Sequence, residues 1–272
     1  MIRSYFGIKS NPFNTESILL LNHQQEISDT LRVHCQQGGL CLLLGEPGTG
    51  KSAIKESLKH YNQKRLITPT IARTLHTYFN TLRILCHAFS IDFDGGDFKC
   101  EKRLIEEAFR LNHLGKMVVP IIDDAHLMDI DCLRKLRLLF EDFPKNHNLI
   151  LIGQPSLLNK IHLAVNEDIK SRVTYSVIIP KLNPDQTQTF ILDQLDRAGL
   201  GHHSFSEEAL ALIARSSEGV LRRIKNLCLG SLLEAIRDQT KRVDLKQVNR
   251  ILIQPHWRKY HEMVEIRNPT GP

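Results

Sequence analysis

A chain of 272 residues and 31.2 kDa, 42% of it hydrophobic, can bury a full core and fits one or two domains. No stretch reaches the roughly 18 continuous apolar residues of a membrane helix, and the opening MIRSYFGIKSNPF lacks the apolar core of a signal peptide, so the cytoplasm is the default expectation. A net charge of +6 with a pI near 9.0 permits a polyanionic partner without requiring one, and with no dominant basic tail any nucleic-acid surface must be a patch made by folding.

Taken in order, residues 1–16 carry Tyr5, Phe6 and Phe13 among Gly7, Asn11 and Pro12 and read as a loop-like aromatic arm. From Leu21 to Gln37 apolar residues fall at helical spacing and stop at Gly38 and Gly39. An apolar strand over 40–44 then runs into glycines, a lysine and a serine, LCLLLGEPGTGKS, and a helix starts at Lys51. RLITPTIA (65–72) reads as a second buried strand, followed by a helix over TLRILCHAFSI, turn chemistry at DFDGGD, and a helix across 99–113. MVVPIIDDAH is a third strand ending in two carboxylates, LRKLRLLF (133–140) an amphipathic helix, NLILIGQP (148–155) a fourth strand and YSVIIP (175–180) a fifth. Strands alternating with helices predict a parallel α/β sheet with its ligand at the strands' carboxyl ends. After Pro180 only helical patterns follow, and periodicity is lost from residue 256. The expected division is an arm with a first helix (1–37), an α/β core (38–180), a small helical domain (181–255) and a tail (256–272). The six cysteines form no CxxC pair, and several lie in apolar stretches, so they read as reduced buried thiols rather than disulfides or a zinc site.

Gly45 to Ser52 matches G-x-x-x-x-G-K-[ST] directly after a strand, which is the phosphate-loop context. Gly45, Glu46, Pro47, Gly48, Thr49 and Gly50 would wrap a nucleotide phosphate with backbone N–H groups, the glycines allowing a turn that a side chain would forbid. Lys51 would reach the β- and γ-phosphates and Ser52 would ligate Mg²⁺, at the positive end of the following helix. One aspartate after a strand is usually a helix cap. Two in tandem, downstream of a phosphate loop, instead read as a metal carboxylate, Asp123, and a water-polarising neighbour, Asp124.

GEPGTGKS, VVPIIDDAH, LRLLFED, LILIGQP, SRVTYSVIIPKLNPDQT and SEGVLRRIKNLC, with the start YFGIKSNPF, together resemble the ExeA family of AAA+ ATPases (general secretion pathway protein A), in order from residue 5 to about 252. The resemblance implies an AAA+ P-loop NTPase: a five-stranded parallel sheet in order 5-1-4-3-2, an α-helical lid, and ATP with Mg²⁺ between neighbouring subunits. It assigns Lys51 and Ser52 to Walker A and Asp123 to the Walker B magnesium ligand. Gln154 becomes sensor 1, Arg172 the finger reaching the next subunit and Arg222 the sensor 2 arginine, with Lys170 or Arg223 as alternatives to the two arginines. Three positions depart from the family: Asp124 stands where Glu is usual, Leu221 where proline is common, and His126 where Gln is usual. Asp124 is one methylene short, which predicts slow hydrolysis.

Secretion members of the family continue into a membrane span and a peptidoglycan-binding region, and this sequence ends soon after the lid pattern. Lid-terminated relatives resemble ATPases encoded beside transposases, which assemble on duplex DNA as rings or filaments and recruit or stimulate the transposase. The leading expectation is therefore an ATP-dependent, DNA-binding regulator of transposition that self-assembles, contacts double-stranded DNA and a transposase with weak sequence specificity, and does not touch membrane. Two other readings stay open: an ExeA-like ATPase of a secretion or envelope system, and an ATP-binding scaffold that scarcely hydrolyses. Arg73, Thr74 and His76, with Lys99, Lys102 and Arg103, are the DNA-contact candidates, and a solvated face is the alternative for all six.

Overall fold

Gly7 takes the left-handed conformation (φ 69°), closing a short helix, α1 (Ile2–Phe6), with the Ile8 amide donating to the Arg3 carbonyl at 3.1 Å. The expected loop-like arm is thus helical at its start. The computed structural model describes residues 1–13, 19–71, 77–93 and 96–257. They form two compact units, Met1–Ser17 with Lys181–Pro272, and Ile18–Pro180, so α1 belongs with the C-terminal helices and the expected 1–37 segment is shared between the units.

In the second unit α2 (Asn22–His34) leads into β1 (Gly39–Leu44), α3 (Lys51–His60), β2 (Leu66–Ile67), β3 (Thr70–Ile71), α4 (Tyr78–Ala88) and α5 (Asp97–His113). β4 (Met117–Val118), β5 (Ile121–Ile122), α6 (Ile130–Glu141), β6 (Asn148–Gly153), α7 (Ser156–Ile161), α8 (Glu167–Lys170) and β7 (Val173–Ile178) complete it. The strands pair in parallel in the order β3-β5-β6-β1-β7, with β2 and β4 forming a separate two-stranded ladder. Counted as five strands, this is the expected 5-1-4-3-2 read from its other edge. The difference in detail is that the second and third strands are each split, at Pro69 and at Pro120. Proline has no N–H to give the ladder. The opposite row of bonds nevertheless runs on: Met117, Val119, Ile121 and Asp123 donate in turn to the carbonyls of Arg65, Ile67, Pro69 and Ile71 at 2.7–3.0 Å. β7 starts two residues earlier than expected, because Leu40 pairs with Val173.

The unbroken apolar run of β1 follows from burial on both faces. Leu40, Leu42 and Leu44 pack with Leu82, Leu104 and Leu136 from α4, α5 and α6; Cys41 and Leu43 pack with Ile27, Leu31, Ile54 and Leu58 from α2 and α3. All six cysteines are free and buried, as their apolar neighbours suggested, and burial pushes the Cys35 and Cys86 thiols up to about 12.

The other unit adds α9 (Pro184–Ala198), α10 (Glu207–Ser217), α11 (Leu221–Arg237) and α12 (Leu245–Leu252), and α1 packs against α11. The caps are those the residues announce: Asn183 with Gln186 opens α9, Ser206 opens α10, and Asp244 with Gln247 opens α12. Among the described residues no helix is long and apolar enough to cross a membrane.

Two glycines that end helices here separate backbone freedom from space. Gly199 (φ 79°) has nothing within 4 Å of an added Cβ, whereas at Gly219 (φ 70°) that atom would lie 2.0 Å from the Leu182 carbonyl oxygen, the residue whose N–H donates to the Gly219 carbonyl. Gly199→Ala should cost about 1 kcal/mol for the left-handed backbone alone. Gly219→Ala should cost at least about 2 kcal/mol more, because backbone must move. Urea denaturation of the two variants checks this, and equal losses would show that the Leu182 contact imposes no constraint.

Candidate functional site

The turn after β1 has the shape its residues require. Gly48 and Gly50 lie at φ 90° and 104°, backbone that few L side chains adopt. Gly45 is needed for another reason: a Cβ there would meet the Thr49 hydroxyl at 2.6 Å. Thr49 is buried, and both its N–H and its Oγ1 donate to the Glu46 carbonyl, at 3.3 and 2.9 Å. Lys51 folds back over the loop, its Nζ 2.7 and 2.9 Å from the carbonyl oxygens of Gly45 and Glu46. The loop ends as α3 begins at Gly50, where no side chain caps the helix. An uncapped helix start behind inward-turned glycines offers N–H groups and a positive dipole to an anion, so the cradle fits a phosphate chain.

Asp123 follows β5 directly, and its carboxylate has both oxygens engaged. Oδ2 accepts from Lys55 Nζ at 2.7 Å and Oδ1 from the Asp124 N–H at 3.0 Å. Asp124 is exposed and left-handed (φ 53°), a conformation aspartate tolerates better than most residues. Gln154 is half-buried immediately after β6, the neighbour of β1. His126 sits against β6, its backbone N only 3.2 Å from where a Cβ on Gly153 would be. Among the described residues no group of three His, Cys, Asp or Glu side chains is arranged to hold a metal. Ser52 and Asp123 are instead hard oxygen donors of the kind that complete a magnesium shell begun by substrate phosphates, so the donor set fits that ion.

Arg172 lies elsewhere. It immediately precedes β7, which pairs in parallel with β1, and so stands beside the start of β1 while the phosphate loop leaves its end. Four residues of strand separate the Leu40 and Leu44 levels, roughly 13 Å. Its Nε donates to Glu141 Oε1 at 2.9 Å, an oxygen that also accepts from Arg137 Nη1 at 2.7 Å. The alternative Lys170 is paired with Glu167 at 2.9 Å. In the helical unit Arg222 is exposed on the first turn of α11 and makes no ion pair among the described residues, while Arg223 pairs with Glu218 at 2.9 Å. Of the DNA-contact candidates, Arg73, Thr74 and His76 fall outside the described residues. The other three lie on α5: Lys99 is exposed, Lys102 approaches Glu106 at 4.0 Å, and Arg103 donates to the Asp92 carbonyl at 2.8 Å.

Three functional neighbours escaped the sequence reading. Lys55 lies one helical turn beyond Lys51, and that i, i+4 spacing on one face was the available signal. Glu141 gave none, being one charge in an amphipathic helix. Gln24 is a buried polar residue on the apolar stripe of α2; its Nε2 donates to the Thr49 carbonyl at 3.1 Å and its Oε1 accepts from the Leu21 N–H at 3.1 Å.

An AAA domain model (AAA_22) matches residues 33–161, and General secretion pathway protein A of Aeromonas hydrophila is 26% identical over 245 residues, 86% of this chain and 45% of that protein. The chain is thus similar to an ExeA-type AAA+ protein over most of its length. It spans less than half the length of that curated relative. Among solved structures, the Aeropyrum pernix ORC2 protein in its ADPNP-ADP complexes matches at a TM-score of 0.70 and 14% identity, over 94% of this chain and 74% of that one. The ORC1 protein of the same organism in complex with DNA matches at 0.64 and 17%, over 88% and 67%. These likenesses establish that the chain has the AAA+ P-loop NTPase fold.

Replacing Gln24 by Leu keeps the volume but leaves the Thr49 carbonyl and the Leu21 N–H without their partner. The expected cost is about 1–3 kcal/mol of stability, with weaker binding of a fluorescent ATP analogue. Gln25→Leu, one position along and exposed, should stay within about 0.5 kcal/mol. Denaturant titration of both variants decides whether Gln24 braces the loop or merely fills space.

Proposed function

We propose that this protein is an ATP-hydrolysing AAA+ switch that assembles with copies of itself on duplex DNA and serves DNA transposition by recruiting or stimulating a transposase. One observation carries the ATPase reading: an uncapped phosphate cradle with Lys51 and Asp123 at the carboxyl end of β1 and β5, and Arg172 at the opposite end of the same sheet, too far to serve its own cradle. In this reading Lys51 holds the β- and γ-phosphates, Ser52 and Asp123 carry Mg²⁺, and Asp124 and Gln154 orient the attacking water. Arg172 completes the site of a neighbouring copy, and Arg222 answers the γ-phosphate from the helical unit, which acts as the lid. ATP then bridges subunits, so assembly depends on nucleotide and hydrolysis times its release.

The DNA reading is supported by the likeness to an ORC1 protein solved with DNA and by the net charge of +6. The transposition role rests on the resemblance to ATPases encoded beside transposases. The identity to General secretion pathway protein A favours a second reading, an ATPase of a secretion or envelope system. The deciding experiment is ATPase rate and particle size with and without duplex DNA at two salt concentrations. Stimulation and growth by DNA, weakening steeply with salt, are expected for phosphate-dominated binding. Indifference to DNA at both concentrations would discard the DNA reading in favour of the second.

Lys51→Ala should abolish ATP binding. Arg172→Ala should bind ATP normally while losing hydrolysis, by ~1,000-fold or more, and losing assembly. An Arg172→Ala protein with full turnover would reject the intersubunit role. Asp124→Glu should raise turnover by up to ~100-fold if the short carboxylate limits water positioning; unchanged turnover would place the limiting step elsewhere.

A further inference from the structure

Among the described residues Lys55 is set directly on the Walker B carboxylate, and neither the phosphate-loop motif nor the family resemblance gives it a task. It leaves α3 one turn after Lys51, and its side chain is 13% exposed against 19% for Asp123, so the pair is largely shielded from solvent. At 2.7 Å the contact is a charge-assisted hydrogen bond, and the second carboxylate oxygen is held by the Asp124 N–H. The carboxylate is thereby fixed in orientation and already neutralised from within the chain. Lys51 makes its own contacts with the Gly45 and Glu46 carbonyls, so the two lysines are separate charges in one site.

From this we infer that Lys55 is a built-in cation that takes over part of the task of magnesium. The inference rests on the nucleotide-binding reading of the site above and concerns its regulation. An ammonium bound to Asp123 has two electrostatic consequences. It adds a positive charge near the triphosphate, favouring metal-free nucleotide, and it repels a divalent ion from the carboxylate that would otherwise attract it. Nucleotide binding in this protein therefore depends only weakly on magnesium, and the ion once bound is held loosely. The ATP-bound state is accordingly governed more by nucleotide concentration than by magnesium.

The test is equilibrium binding of methylanthraniloyl-ATP to the full chain in EDTA and across a magnesium titration, for the wild type, Lys55→Met and Lys55→Arg. The wild type should bind with affinities in EDTA and in magnesium that differ by less than about tenfold. Lys55→Met should widen that ratio at least tenfold, chiefly through lost affinity in EDTA, and lower the half-saturating magnesium concentration; Lys55→Arg, which keeps the charge, should behave like the wild type. A Lys55→Met protein that binds nucleotide with the wild-type ratio overturns the inference, leaving the ion pair a structural one. Should Lys55→Met fail to fold, the wild type alone decides: binding that requires magnesium refutes the inference and leaves the nucleotide reading intact. Binding in neither condition defeats the nucleotide reading and this inference together.

Discussion

The pairing of β1 with β6 on one side and β7 on the other is the constraint from which the rest of this structure follows. Six residues of continuous parallel ladder to β6, and five pairs to β7 with one irregularity between Leu40 and Cys41, fix the strand on both flanks, and buried side chains fix it above and below. Everything with chemical meaning in the α/β unit hangs from one end of that ladder or the other. The phosphate loop, the aspartate pair and Gln154 sit where β1, β5 and β6 finish; Arg172 and Glu141 sit where β7 and β6 begin. The sheet keeps the two groups at its opposite ends, which is the feature the proposed role of Arg172 in a neighbouring copy's site relies on.

The loop itself is held together by main-chain acceptors. Lys51 and Thr49 donate to carbonyls of the turn, and Gln24 ties the Thr49 carbonyl back to α2. Such an arrangement leaves the amides that face the cradle free of side-chain caps, and it makes the cradle's shape depend on a helix that precedes it in sequence. Asp124, in the left-handed region on the other wall, shows the opposite economy: a backbone cost accepted where chemistry is expected.

Much of this was legible in the residues. LCLLLGEPGTGKS and MVVPIIDDAH announce strand ends because apolar runs stop abruptly in glycine or carboxylate, and the helix caps at Asn183, Ser206 and Asp244 are local signals that the fold repeats without alteration. What escaped depends on contacts between distant segments. Lys55 and Asp123 are 68 positions apart, and Gln24 and Thr49 are 25, separations over which periodicity carries no information. The start of the chain was misread for a different reason: Gly7 and the rings beside it look like loop chemistry, yet a left-handed glycine is also how a short helix ends. Pro120 is the converse case, a residue type that argues against a central strand yet costs the ladder only its own N–H, while its carbonyl still accepts from the Ile150 N–H at 3.0 Å.

The buried cysteines have a practical corollary. Five of the six lie in the α/β unit and Cys228 alone lies in the helical one, and burial raises the thiols of Cys35, Cys86, Cys132 and Cys228 far above the range in which they would be nucleophilic. Alkylation at any of them therefore reports an opening event, and the peptide that carries the label identifies which half of the molecule opened. The protein comes supplied with probes for following the breathing of its two units separately, with no foreign dye and no engineered residue.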